Sequence, residues 1–400
     1  MKNTLRKSWL ILHRWLGLTV GAVLVLVGLT GSLLVFDHAI DEWLNPTLLL
    51  SQESGDRKPV AEVVAAAEAG YQGSANQAVS VTRPRVDHGV WTVWFSERSE
   101  EGRRFVAVHV DPFTAGVTGQ RVWGEDLMSW VYRLHFRLLA GTPGAVIVGL
   151  VGIIAIVSIV SGVYLWWPLW KNSWRAAFAI RKGARFSFDL HKSAGMASAV
   201  FLLVIAFTGV YMEFHDWFRA AIGTFAEVTD PPGELTSAVI EKADRLSPDE
   251  AIAIAQERFP GATFDHLHPP QGADGFYEVA FRQPGEVQTS YGRSQVFLDQ
   301  YSGELLALRR PQDGTSADAF FAWQFPLHNG EAFGLLGRWI VFVIGLTPAV
   351  LYVTGVVVWW RRAGSRRRQT QRNRKGDSPT PPAESAEGAE AEGERVPALA

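Results

Sequence analysis

The sequence predicts a membrane α+β protein: a four-transmembrane-helix bundle built from two tandem repeats, with two external α+β domains. Three observations predict it. Four uncharged runs are each long enough to cross a bilayer as a helix. Two polar segments of roughly 90 to 110 residues lie between them. The second half of the chain also repeats landmarks of the first at fixed offsets.

In chain order, residues 1–14 precede the first span, 15–38. An external domain takes 46–128, the second span 138–168 and a basic loop 169–192. The third span is 193–215, the second external domain 218–320 and the fourth span 335–360. Residues 361–400 form a basic and then disordered tail, because from Gly376 the composition is rich in Pro, Ala and Glu.

Charge orients the spans. The net charge is only −2, yet 18 of the 38 basic residues sit on three short segments. Lys2, Arg6, Lys7 and Arg14 precede span one; six more lie between Lys171 and Lys192; eight lie between Arg361 and Lys375. The positive-inside rule puts all three segments in the cytoplasm, so both termini are inside and both polar domains outside. Trp166, Trp167, Trp359 and Trp360 mark the cytoplasmic span ends as an interfacial belt. The apolar region of span one is too long for a cleaved signal peptide and reads as a signal anchor. Membrane lipid, not nucleic acid, is the surface these cations serve.

Each polar segment reads as helix then strands. Val60 to Gly70 is an Ala-rich helix, and Val90 to Phe95 and Phe105 to Val110 alternate as strands. In the second segment Ser247, Pro248 and Glu250 form a helix start, and FYEVAF and SQVFLD read as strands. The turns VDPFTAG and LDQYSGE match, Asp111 with Asp299.

The repeat runs through the spans. LHRWLG from Leu12 parallels LHKSAG from Leu190, and Thr30-Gly31 parallels Thr208-Gly209, both offset by 178. Trp130, Leu134, His135, Gly162 and Trp166 map onto Trp323, Leu327, His328, Gly355 and Trp359, offset by 193. Two copies entering the membrane in one direction are related by a pseudo-twofold axis along its normal.

That symmetry sorts the histidines. Six of ten stand at span ends. His13 and His191 are repeat mates at the cytoplasmic edge; His135 and His328 are mates at the external edge. A twofold axis brings mates face to face, and two imidazoles on opposite faces of one flat cofactor give bis-histidine haem ligation. The expectation is two non-covalent haems, since the absence of cysteine excludes the thioether attachment of c-type haem, as well as disulfides and iron–sulfur clusters. Arg14 and Lys192 are placed to hold propionates inside, Arg133 and Arg137 outside, although His328 has no such flanking cations. Gly17 and Gly195 would let a macrocycle approach.

His13 and His38 are 25 residues apart, about 37 Å of helix and close to seven whole turns, which would put both on one face of a single helix. His38 and His215 fit the symmetry less well. They are open to crowding the external haem, ligating it in place of His135 and His328, or donating hydrogen bonds. His266-Leu-His268 has the strand spacing of a metal pair, against the bland reading of a loop.

On LHRWLGL, DLHKSAG, LHFRLLAG, PLHNGEAFG, the WWP and WWRR span ends and the two matched turns, the chain resembles the PepSY-associated transmembrane family, over about residues 5 to 362. Ferric-siderophore reductases of the bacterial inner membrane are members. The resemblance implies two haem b per chain, periplasmic PepSY-like domains, an inner-membrane location with both termini in the cytoplasm, and electron transfer to a periplasmic ferric siderophore with release of Fe(II). No G-x-G-x-x-G follows a strand, so electrons come from a quinol or a cytoplasmic donor. Two other readings stand beside it: a haem conduit to another periplasmic acceptor, and a non-enzymatic membrane anchor that binds a periplasmic protease.

Overall fold

The computed structural model describes residues 2–75, 77–99, 102–240 and 244–374. The expected disordered tail beyond Gly376 lies outside the described residues. The chain begins with α1 (Lys2–Leu34), α2 (Asp37–Leu44), α3 (Pro46–Leu49) and α4 (Val60–Gly70). Strands β1 (Ser80–Thr82), β2 (Trp91–Ser99), β3 (Gly102–Val110) and β4 (Val117–Val122) follow. Then come α5 (Leu127–Arg137), α6 (Gly141–Asn172), α7 (Trp174–Phe178), α8 (Phe186–Glu213), α9 (His215–Gly223) and α10 (Pro248–Gln256). Strands β5 (Thr263–His268), β6 (Phe276–Arg282), β7 (Ser294–Asp299) and β8 (Leu305–Arg309) lead to α11 (Ser316–Asn329) and α12 (Gly334–Arg374). Contacts divide the chain into Met1–Gly355 and Val356–Ala400. The described part of the second unit is the arginine-rich end of one helix.

Four helical stretches are long and apolar enough to cross a membrane: Thr4–Leu34, Gly141–Asn172, Gly183–Glu213 and Glu331–Gln371. The protein is a membrane protein. Small residues let the spans close on one another, as lipid-embedded helices require. A Cβ added at Gly28 of α1 would fall 2.5 Å from the Gly345 carbonyl of α12, and one at Gly152 of α6 would fall 2.7 Å from Val210 of α8.

Three expected span boundaries are corrected. α1 stops at Leu34, so His13 and His38 do not share a helix. Phe36 leaves helical geometry at φ −121°, ψ 25°, and its ring packs 4.9 Å from Trp339 and 5.9 Å from Phe342. The chain is pinned there, and Asp37 opens α2. The third span ends likewise at Phe214 (φ −117°, ψ 35°), whose ring stacks on Trp217, so His215 opens α9. The second span begins at Gly141 and not at 138, because Leu138 and Leu139 both adopt left-handed backbone and turn the corner after α5.

The two polar segments do not stand apart. Their strands form one antiparallel sheet in the order β4-β3-β2-β1-β5-β6-β7-β8. The halves meet where Val81 opposes Leu267 and Thr82 opposes His266. α4 and α10 cover one face. Val63 and Ala67 of α4, with Ala251 and Ala255 of α10, are fully buried against Val81, Val93, Phe95, Val108, Leu267, Val279, Phe281, Val296 and Leu298. Each large side chain in that core contributes about 1.5–3 kcal/mol. Asp249 of α10 caps α4 through 2.8 Å bonds from the backbone N–H groups of Val60 and Ala61, so the second half finishes a helix of the first. Ser247 and Glu250 form the expected capping box. In both matched turns the aspartate accepts from the backbone two and three residues on: Asp111 from Phe113 and Thr114, Asp299 from Tyr301 and Ser302.

Candidate functional site

The four repeat-mate histidines form two facing pairs. His13 of α1 meets His191 of α8 with ring centres 6.2 Å apart and planes at 84°. His135 of α5 meets His328 of α11, also at 6.2 Å, with planes at 62°. Each imidazole is held through Nδ1 on the next helix by the same device. His13 Nδ1 lies 3.0 Å from the Ser158 carbonyl and 2.9 Å from Ser161 Oγ, on α6. His191 Nδ1 lies 3.0 Å from the Leu351 carbonyl and 3.1 Å from Thr354 Oγ1, on α12. His135 Nδ1 meets the Val27 carbonyl at 2.9 Å and Thr30 Oγ1 at 3.1 Å, on α1. His328 Nδ1 meets the Ile205 carbonyl at 3.1 Å and Thr208 Oγ1 at 3.0 Å, on α8.

A carbonyl can only accept, so Nδ1 carries the proton and Nε2 presents a lone pair. This is the outer support that metal-binding histidines use. The hydroxyl stands three residues after the carbonyl, one helical turn on, and a glycine follows it each time. The ring lies against that glycine. A Cβ would fall 2.8 Å from His135 Cε1 at Gly31, 3.2 Å from His13 at Gly162, 3.2 Å from His328 at Gly209 and 3.4 Å from His191 at Gly355.

Sequence reasoning paired Thr30-Gly31 with Thr208-Gly209 but gave them no task. It passed over Ser161 and Thr354 altogether. The signal was present: a Ser/Thr-Gly step in all four spans, the hydroxyl for Nδ1 and the glycine for the ring.

The spacing suits a shared metal. Two imidazoles on opposite sides of one ion place their ring centres about 6.2 Å apart, from two bonds of about 2 Å and two ring radii of about 1.1 Å. The pairs lie at two levels. From His13 to Thr30, and from His191 to Thr208, is 17 residues of unbroken helix, about 25 Å.

The other expected site residues divide. Arg14 has a buried Nε that finds no hydrogen-bond partner among the described residues. A Cβ at Gly17 would meet nothing within 4 Å, which leaves open space beside His13; at Gly195 it would touch Leu351 at 3.4 Å. Lys192 is engaged: its Nζ donates to the Ala176 carbonyl at 2.7 Å and pairs with Asp189 at 3.2 Å. Asp189, wholly buried, also takes two bonds from Arg181, at 2.8 and 2.9 Å, which ties the basic loop to α8. Arg133 Nη1 reaches the Gly124 carbonyl at 3.5 Å, and Arg137 lies 4.8 Å over the Phe136 ring. His38 and His215 have about half-exposed side chains beside Asp37 and Asp216, and the structure pairs neither with an imidazole.

Fold and site together define a membrane protein with four helices long enough to span, two imidazole pairs at two levels along them, and one antiparallel sheet. The chain belongs to the PepSY-associated TM region family, whose model matches residues 10–362 and so takes in all four paired histidines. No curated protein matches the chain significantly.

Proposed function

We propose that the chain is a di-haem electron relay of the bacterial inner membrane, of the ferric-siderophore reductase type. The observation that carries this reading is the double pair: two sets of facing imidazoles, each 6.2 Å apart, each Nδ1 fixed on a neighbouring helix. Bound between the members of a pair, haem b would supply a six-coordinate one-electron couple suited to outer-sphere transfer. His13 and His191 would hold the inner group, with Arg14 facing its acid groups; His135 and His328 would hold the outer one.

The residues do three things. Each Ser or Thr hydroxyl and its carbonyl fix the ring's tautomer and direction. Each glycine admits the ring to the helix surface. The levels about 25 Å apart divide one membrane crossing into two shorter transfers. Basic segments at the α1 and α12 ends and around α7 support cytoplasmic termini, with the sheet in the periplasm. The matched halves of the sheet support reading the chain as two PepSY-like repeats. Quinol or a cytoplasmic partner would donate. The acceptor, ferric iron held by a siderophore, rests on the family resemblance; reduction weakens the grip of hard oxygen ligands on iron.

Purified protein should contain two haems per chain. His191→Ala should remove one, leave the outer, and stop reduction by quinol while an external chemical reductant still reduces what remains. His135→Ala or His328→Ala should abolish ferric-siderophore reduction. One haem or none in fully loaded wild-type protein would sink the pairing. Siderophore reduction that survives loss of the outer haem would sink the assignment of the acceptor side.

A further inference from the structure

We propose that the extramembrane sheet carries a second, separate metal site: a divalent first-row transition ion held by His266, His268 and Glu278. It stands apart from the histidine pairs and does not depend on their holding haem. His266 and His268 are two residues apart on β5 and so share a face. Glu278 of β6 is directly opposite His268 in the register. One donor atom from each of the three lies within 4.8 Å of the others. Their face is the one opposite α4 and α10, since the alternate residues Leu267, Tyr277 and Val279 fill the helix-covered core.

Two features distinguish this cluster from polar residues that merely share a strand face. The first is an orphan. His266 is only 2% exposed, and its Nε2 is buried with no hydrogen-bond partner among the described residues. A buried ring nitrogen left unpaired is costly, so an occupant is called for. The second is the support behind the ligands. His266 Nδ1 lies 3.0 Å from Asp265 Oδ2, and His268 Nδ1 lies 2.9 Å from the Val79 carbonyl. Both rings therefore leave Nε2 free as the donor atom, one ring backed by a carboxylate and one by a backbone oxygen, the two supports that zinc-binding histidines use. Asp265 is itself fixed by the Gly292 N–H at 2.9 Å, and Gln295 donates to Glu278.

The chemistry selects the ion class. Two imidazoles and one carboxylate suit Zn²⁺ or Fe²⁺ over Ca²⁺ or Mg²⁺, which want oxygen throughout. Three protein ligands leave at least one position open. Bonds of about 2.0–2.1 Å at a tetrahedral ion need donors about 3.3 Å apart, so from separations within 4.8 Å the cluster has to close by up to about 1.5 Å, a change of side-chain rotamer. The Tyr291 ring covers His266 at 4.3 Å between ring centres, and Tyr291 is itself 45% exposed, so the entry lies beside it.

The test uses the full-length protein as purified, without a polyhistidine tag, stripped with chelator and dialysed against micromolar Zn²⁺. Metal and haem are counted per chain in parallel. One Zn²⁺ per chain is expected, with a raised melting temperature; Ca²⁺ should give neither. His268→Ala and Glu278→Gln should each lose the ion and its thermal effect while keeping the wild-type haem content. Asp265→Asn should keep the stoichiometry but weaken binding about 10–100-fold. If both ligand variants retain Zn²⁺ as wild type does, binding is at other surface histidines and the proposal is wrong. It is equally wrong if wild-type protein retains none. Should a variant fold poorly, wild-type protein decides alone: Zn²⁺ that fails to raise its melting temperature overturns the site.

Discussion

Adding one methyl group at each of the four glycines beneath the imidazoles should give three grades of result. Alanine is favoured over glycine inside a helix by about 1 kcal/mol, so each change carries the same small gain. What differs is the room above. At Gly31 the new Cβ would stand 2.8 Å from His135 Cε1, closer than carbon atoms tolerate; at Gly355 it would stand 3.4 Å from His191, an ordinary contact. Gly162 and Gly209, both at 3.2 Å, fall between. Overpacking of this kind costs about 1–3 kcal/mol. The His135 ring cannot slide away without losing its bonds to Val27 and Thr30. If the whole cost falls on cofactor binding, it corresponds to a roughly 5- to 150-fold loss of affinity at the outer pair. On the proposed di-haem reading, Gly31→Ala protein should therefore lose outer haem on dilution or gel filtration, while Gly355→Ala keeps both haems and melts at or slightly above the wild-type temperature. Haem per chain and the melting curve of purified protein measure both. If Gly31→Ala and Gly355→Ala lose haem equally, or the order is reversed, ring-against-glycine packing is not what positions these histidines.

Two further outcomes follow from charges outside the pairs. Asp189→Asn leaves Lys192 without its buried partner and unties Arg181; the cost should fall toward the lower end of about 3–5 kcal/mol, since Arg181 is half exposed. Trypsin should then cut faster at Arg181, Lys182 and Arg185, and unchanged cleavage would count against the tie. In the sheet, burial, helped by nearby Arg121, lowers the pKa of His109 from 6.5 to about 4. Between those values the unfolded chain binds the extra proton, so this group's stabilising share, on the order of 3 kcal/mol, is present above pH 6.5 and is lost as pH falls toward 4. His109→Gln should flatten the melting-temperature profile across that window; parallel profiles for variant and wild type would refute the assignment.

Much of this architecture can be read from the sequence where the pattern is long or repeated. The long apolar runs gave the spans. Alternation marks β2 and β3, and the short segments FYEVAF and SQVFLD read as β6 and β7. The 178 and 193 offsets pair His13 with His191 and His135 with His328. What was not legible depends on distant partners. β1 is three residues long and pairs across the chain with β5, so no local pattern announces that two domains share one sheet. Val35 and Phe36 are as apolar as the helix before them; the break comes from Trp339 and Phe342, about 300 residues away. Thr30, Ser161, Thr208 and Thr354 look like ordinary hydroxyls that bond back to their own helix, which they also do. Lys192 next to His191 looks like a free cation until Asp189, a turn earlier, is seen to hold it.

The inner imidazole pair draws on every span: α1 and α8 bring the rings, α6 and α12 hold them. The ribosome makes these helices one after another, and Leu351 and Thr354 emerge near the end of the chain. Until the last helix is in place, the His191 ring lacks the Leu351 carbonyl and the Thr354 hydroxyl that fix it. The inner pair is therefore completed only by the final span, whereas the outer pair is held by α1 and α8 alone.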